Sequence, residues 1–260
     1  MAKSIDELKQ AFDADGYIVK QSVQYMGSNG LLALHKTARN SQTGAPKRAV
    51  YVEGDGYSMG RLIGQLLEPE ITTMATKWVE TVIPALVAMP YLNWLFPVLK
   101  HILEDWNYAI YDLDHGLYPN DIPLDLQHEM KGIADGCKDS NSKTLVTYKN
   151  ILALNAGIDT LFAAVWTGLG IGDKLERSLE KVPPTEHAAF RSAIAELKPK
   201  MFRAPRFACN ALAAFGSATV GGKFYFGRDF QFPAKGGFED CACMIIYNPS
   251  YDVAPGVKAV

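Results

Sequence analysis

The residues best suited to chemistry are Cys209, Arg228 and Asp229, and the pattern between them says how they could meet. Cys209 opens an apolar run, Asn210 to Phe215, which leads through Gly216-Ser217-Ala218-Thr219-Val220 into Gly221-Gly222-Lys223. The run after that turn, Phe224-Tyr225-Phe226-Gly227, alternates aromatics and ends on Arg228-Asp229. Glycine pairs accept the positive φ that tight hairpin turns demand, so the two runs predict an antiparallel hairpin. Cys209 then opens one strand, and Arg228 and Asp229 close its neighbour at the same end. A thiol beside a fixed guanidinium has a lowered pKa and is the stronger nucleophile.

This stretch resembles the autoprocessing N-terminal-nucleophile hydrolases of the isopenicillin-N acyltransferase type, and more distantly the phospholipase B-like proteins and bile-salt hydrolases. Their pattern is a strand-opening Cys, a Gly-Lys turn and a strand end of the form Gly-Arg-Asn-x-Asp. Here those positions read Cys209, Gly221-Gly222-Lys223 and Gly227-Arg228-Asp229-Phe230-Gln231. Two positions depart: Asp229 stands where many members carry Asn, and Gln231 where many carry Asp. Period-2 geometry keeps 229 and 231 on one side, so the carboxylate can have moved two residues along one face. The alternative is a subgroup with different wiring of the site.

Three earlier blocks fall in the family's order. Gly54-Asp55-Gly56-Tyr57-Ser58-Met59-Gly60-Arg61-Leu62-Ile63-Gly64 is similar to the helix that opens its prosegment. Pro123 to Gly136 is similar to its Glu-x-x-Gly-Ile-Ala-x-Gly element, and Leu152, Leu154, Asn155 and Asp159 to the helix after it. The resemblance spans Gly54 to about Tyr247. It implies an α+β fold, an N-terminal-nucleophile αββα sandwich incomplete in this chain and preceded by a mostly helical prosegment over 1–208. A linker falls at about 172–208, and the catalytic domain begins at 209. The resemblance further implies self-cleavage between Ala208 and Cys209, with Arg228 supporting the thiolate or positioning the substrate and Asp229 orienting the new α-ammonium. The substrate would be a small linear amide or thioester with an apolar acyl group. No cofactor and no metal enter this scheme, and the family's oxyanion Asn would fall beyond Val260.

The chemistry is self-sufficient. Once cleavage frees Cys209 as a new terminus, its α-amine, with an ordinary pKa near 7.7–8.0, serves as base for its own thiol. No histidine is required, and all five histidines lie before residue 190 without a triad-like setting.

The elements that must position these groups follow from the rest of the chain. Its 260 residues, 48% hydrophobic, suffice for one large core or two modest ones. A formal net charge of −2 with no basic stripe argues against nucleic acid. Four cysteines in a chain of this length, Cys137, Cys209, Cys241 and Cys243, read as free thiols. Cys241-Ala242-Cys243 has no second pair that would make a metal site. The first residues carry no signal peptide, which makes the cytoplasm the default compartment.

Ser4 to Phe12 predicts a helix with a Ser4/Glu7 capping box. Tyr17 to Met26 and Leu31 to Thr37 predict a hairpin turning at Gly27-Ser28-Asn29-Gly30, and Ala49 to Glu53 a further strand after a polar loop over Arg39 to Lys47. Ser58 reads as the cap of a helix on which Gly60 and Gly64 share a face, as close approach by another backbone would require. Val82 to Leu99 is apolar at membrane-span length, but Pro84, Pro90, Pro97 and Asn93 favour a kinked, buried helical hairpin over a membrane segment; a groove for a greasy acyl chain is a third reading. His101 and His115 have no evident partners. Ile122 to Gly136 predicts an amphipathic helix ended by glycine. Asn155 and Asp159, one turn apart in an apolar run, read as a buried polar pair. Residues 172–205 are charged and proline-punctuated, a surface linker with a second charged helix from Thr185 to Lys198.

Glu239 to Asn248 reads as a third strand following the hairpin. Three strands cannot make two packed sheets, and apolar Leu212, Phe215, Phe224, Phe226, Ile245 and Ile246 would lack partners. The expectation is that sequence after Val260, or a second chain, completes the fold. The rival class is a non-catalytic lipid- or protein-binding module with Cys209 as a core residue, since free cysteine is among the most buried side chains.

Overall fold

In the computed structural model, which describes residues 4–41, 43–87, 102–167, 184, 188, 210–219, 222–229 and 238–250, the capping box at the start is present. Ser4 Oγ accepts from the Glu7 N–H at 3.3 Å and Glu7 Oε2 from the Ser4 N–H at 2.7 Å, opening α1 (Ile5–Ala14). Helix α1 buries Leu8 and Phe12 on Leu31, Ala33, Ala49 and Tyr51, one face of the main sheet.

That sheet holds β1 (Tyr17–Tyr25), β2 (Ser28–Arg39), β3 (Pro46–Gly54) and β6 (Cys243–Pro249), in the order β1-β2-β3-β6. Met26 and Gly27, with φ of 47° and 84°, form the whole turn between β1 and β2. Positive φ at both central positions matches the right-handed twist of the flanking strands, so the turn is tighter than the Gly27-to-Gly30 turn predicted, and Ser28, Asn29 and Gly30 belong to β2. The polar loop likewise shrinks to residues 40–45.

The third predicted strand is corrected. Glu239, Asp240 and Cys241 lie in a short helix, α6 (Phe238–Cys241), and the strand starts only at Cys243. It does not extend the Gly221-Gly222 hairpin; it runs parallel to β3, from Arg48↔Cys243 to Gly54↔Pro249. The reason lies in β3, whose Ala49, Val50, Tyr51 and Val52 are all buried. A strand apolar on both faces belongs inside a sheet, and its second edge must be paired. Arg48 fixes the entry to β6, its guanidinium donating to the Asp240 carbonyl and pairing with Glu70 at 3.1 Å. Cys243 and Ile245, partly buried, pack against the core of Val50, Val52, Met59 and Leu62 on the opposite face from α1, whereas Met244 and Ile246 remain 48% and 39% exposed.

Helix α2 (Gly56–Val87) covers that opposite face. Its cap is Asp55, not Ser58: the Ser58 N–H donates to Asp55 Oδ1 at 2.7 Å, and Ser58 lies buried inside the first turn. The carboxylate also meets the positive end of the helix dipole, an advantage a serine lacks. Asp55→Ala should therefore lower unfolding free energy by about 1 kcal/mol, whereas Ser58→Ala should leave the cap in place; urea unfolding distinguishes them. The helix kinks at Leu67 (φ −123°, ψ 21°), two residues before Pro69, whose ring removes a donor and crowds the preceding turn.

After residues 88–101, a π-helical turn (Ile102–Trp106) runs into α3 (Asn107–Tyr111), followed by a 3₁₀ turn (Pro119–Asp121), α4 (Leu124–Ser140) and α5 (Tyr148–Thr167). The predicted kinked hairpin lies mostly outside the described residues, its first part ending α2. Among the described residues no helix is long and apolar enough to cross a membrane. A third core cluster, with Met130, Cys137, Ile151 and Leu152, joins α4 and α5.

Helices α2 and α4 run parallel in glycine-to-backbone contact. A Cβ on Gly60 would overlap the Glu129 carbonyl, on Gly64 the Ile133 carbonyl, on Gly132 that of Tyr57, and on Gly136 that of Arg61. The predicted close approach thus has its partner. It also explains why Gly136 does not end α4 as predicted: the glycine serves the seam, and the helix continues to Ser140. Asn155 is exposed and donates to the Ile151 carbonyl at 2.9 Å, so it is not half of a buried pair. The second sheet is the hairpin of β4 (Asn210–Gly216) and β5 (Gly222–Asp229), antiparallel as predicted. The architecture is α+β, with a four-stranded mixed sheet between α1 and α2.

Candidate functional site

Strands β4 and β5 pair from Asn210↔Asp229 and Ala211↔Arg228 at the open end to Gly216↔Gly222 at the turn. Gly222 belongs to β5 and pairs with Gly216, so the predicted turn at Gly221-Gly222 is displaced toward Ser217, Ala218 and Thr219, which follow β4. Arg228 and Asp229 are the last two residues of β5, and Asn210 is the first of β4. Ala208, Cys209, Phe230 and Gln231 lie outside the described residues, as do the linker and its charged helix apart from residues 184 and 188.

The other three thiols sit in unreactive settings. Cys137 is fully buried, and burial foremost, with the Glu68 charge second, pushes its thiol up to about 12. Burial, then the Glu70 carboxylate, pushes Cys241 up to about 11, and its sulfur donates to the Glu70 carbonyl at 3.5 Å. Burial also raises Cys243, although the Arg48 charge opposes it. A thiol held protonated is a poor nucleophile. Cys241 and Cys243 lie on a helix and a strand, respectively, and no group that could hold a metal ion includes them among the described residues.

Three polar constellations surround the main sheet. At the carboxyl ends of β3 and β6, buried Glu53 accepts from the Asn29 backbone N–H at 3.0 Å, from Asn29 Nδ2 at 2.5 Å and from the Tyr51 hydroxyl at 2.8 Å. Asn248 Nδ2 donates to the Tyr51 oxygen at 2.8 Å, and burial with the Glu53 bond takes the Tyr51 phenol up to about 12. This network is satisfied on every side and anchors β6. Along the α2–α4 seam, Arg61 binds Asp139 with both Nε (2.6 Å) and Nη2 (2.8 Å), and its Nη1 donates to the Tyr57 oxygen at 3.0 Å. The guanidinium lies 4.5 Å from the Tyr25 ring centre, and its hydrogen bonds hold the Asp139 carboxyl below the usual range. The Tyr57 hydroxyl in turn donates to Asp135 at 2.7 Å. Both constellations are complete without a ligand.

The third joins α4 to β6. Glu129 Oε1 accepts from the Tyr247 hydroxyl at 2.8 Å. Burial raises the Glu129 carboxyl above its ordinary value, and the hydroxyl bond offsets part of that rise. A carboxyl with a raised folded pKa holds its proton preferentially in the folded chain. Its contribution to stability is therefore complete below the unfolded value and is lost as pH rises through the folded one. Glu129→Gln removes the titration. The stability of wild type relative to Glu129→Gln should thus be greater at about pH 4 than at about pH 7.5 in urea unfolding, and an equal gap at both would contradict the assignment.

Sequence reasoning missed one further cluster. Asp112, Asp114 and His115 bring three ligand-type atoms within 4.8 Å of one another. His115 does have a partner: its backbone N–H donates to Asp112 Oδ2 at 2.9 Å, with Nδ1 at 3.3 Å from the same oxygen. The spacing Asp-x-Asp-His was the available signal. Lys131 already lies 3.0 Å from Asp114, lowering its carboxyl and supplying local positive charge. No protein-family model matches the chain, and neither does any curated protein or solved structure.

Proposed function

We propose that the chain is a cysteine N-terminal-nucleophile amidohydrolase or acyltransferase that activates itself by cleavage between Ala208 and Cys209. Its fold would be the αββα sandwich, with residues 1–208 as prosegment and the catalytic part starting at 209. The observation that carries this reading is the register of β4 and β5. With Ala211 opposite Arg228 and Asn210 opposite Asp229 in the register, the end of β5 that carries Arg228 and Asp229 lies beside the residue that follows Cys209 in sequence. The elevated thiols of Cys137, Cys241 and Cys243 support Cys209 by contrast.

The Cys209 sulfur attacks the Ala208 carbonyl carbon, and the amide bond to the Cys209 nitrogen breaks as the thioester forms. Water hydrolyses that thioester, leaving the Ala208 carboxylate and a free Cys209 with both amine and thiol. In turnover the α-amine takes the thiol proton, the thiolate attacks the substrate carbonyl, and the resulting ammonium returns the proton to the leaving amine or thiol. Water or an acceptor amine then receives the acyl group. Arg228 favours the thiolate by its charge, and Asp229 orients the ammonium. Intact mass and N-terminal sequencing of the purified chain should find a terminus at Cys209. A wild-type chain that stays whole over long incubation, with its C-terminal part present, would sink the proposal.

A further inference from the structure

The two parts of the chain on either side of Ala208-Cys209 share a single sheet. Strand β6 belongs to the second part, and among the described residues its pairing is to β3 of the first, over seven register pairs. Side chains and backbone groups fix it at both ends. At its entry, Arg48 holds the Asp240 carbonyl and Cys241 donates to the Glu70 carbonyl at 3.5 Å. At its exit, Tyr247 donates to Glu129 at 2.8 Å, Asn248 to Tyr51 at 2.8 Å, and the Ser250 N–H to the Gly54 carbonyl at 2.9 Å. Cys243 and Ile245, partly buried, pack against the core beneath α2. Slipping β6 by one residue would turn those two outward and break every anchor, so one register is specified.

We infer that residues 238–250 are a clamp that holds the second part of the processed chain to the first, the edge of β3 with Glu70 and Glu129 being its receptor. This rests on the self-cleavage proposed above, but its test supplies the cut independently. A recognition site for a sequence-specific protease is inserted after Pro199 in the full chain carrying Cys209→Ala, and the folded chain is cut and passed over a native sizing column. The two pieces should elute together. With Ile245→Asp, which puts a charge under α2, they should separate after cutting. The milder pair Tyr247→Phe with Asn248→Ala removes two hydrogen bonds and should weaken the association about tenfold. If Ile245→Asp does not fold before cutting, the milder pair decides. Separation of the parent pieces overturns the inference, and so does association that neither variant weakens. Either result leaves self-cleavage itself untouched, since the cut here is external.

Discussion

A Cys209→Ala chain should remain one polypeptide through purification and long incubation, while wild type divides at Ala208-Cys209. Turnover of any amide or thioester substrate should fall by at least about 10³-fold, since removing a covalent nucleophile removes the reaction path and not just a contact. No other described thiol can substitute, because burial holds Cys137 and Cys241 up to about 12 and about 11 and raises Cys243 as well. Arg228 separates a true site from a chance juxtaposition. Opposite Ala211 at the strand end, its charge should lower the Cys209 thiol pKa. Arg228→Gln should therefore cost about 10²-fold in rate and move the rate profile to higher pH, whereas Arg228→Lys should keep most of the profile while losing rate. An Arg228→Gln chain that cleaves and turns over like wild type would remove the residue from the mechanism.

How much of this was legible in the sequence varies by element, for physical reasons. The β4–β5 hairpin was legible because its signal is local, two strand-forming runs with glycines between them, but its register was not: Gly222 does not make the turn and instead opens β5 opposite Gly216. The capping box at Ser4 and Glu7 was legible for the same reason. The partner of β6 was not, because strand pairing across nearly 200 positions leaves no local trace in the strand that docks. The trace was in the receptor: Ala49-Val50-Tyr51-Val52 is a continuous apolar run, which a two-sided, interior strand requires and an edge strand does not. The cap of α2 was misplaced by three residues because Asp55 and Ser58 are both good caps, and only the left-handed Gly54 (φ 119°) decides where β3 stops. In the candidate site, the residues at the strand end were named from the pattern, whereas the Glu129–Tyr247 bond needed β6 to be placed first.

The glycine seam between α2 and α4 yields the largest expected change in stability, and it has a sign that a loose seam would reverse. Alanine is favoured over glycine in a helix by about 1 kcal/mol, so in an open helix Gly60→Ala would stabilise. Here the added methyl would meet the Glu129 carbonyl, part of the α4 backbone, which cannot rotate away as a side chain can. Relief requires the helices to part. That disturbs Gly64 on Ile133, Gly132 on Tyr57 and Gly136 on Arg61 together, because the four contacts interleave along one seam. It also pulls Arg61 from Asp139 and Tyr57 from Asp135, the bonds that hold the helices in parallel register. Overpacking a close contact costs roughly 1–3 kcal/mol, the upper end applying to a backbone oxygen that cannot turn away, and the helix-propensity gain of about 1 kcal/mol offsets only part of it. Gly60→Ala should therefore destabilise by about 2 kcal/mol, and Gly60→Val by more, since a branched side chain adds both bulk and χ1 restriction. Urea unfolding of the two variants reads this directly. A Gly60→Ala chain more stable than wild type would mean that α2 and α4 are not in backbone contact, and that Arg61 and Tyr57 reach α4 across a wider gap.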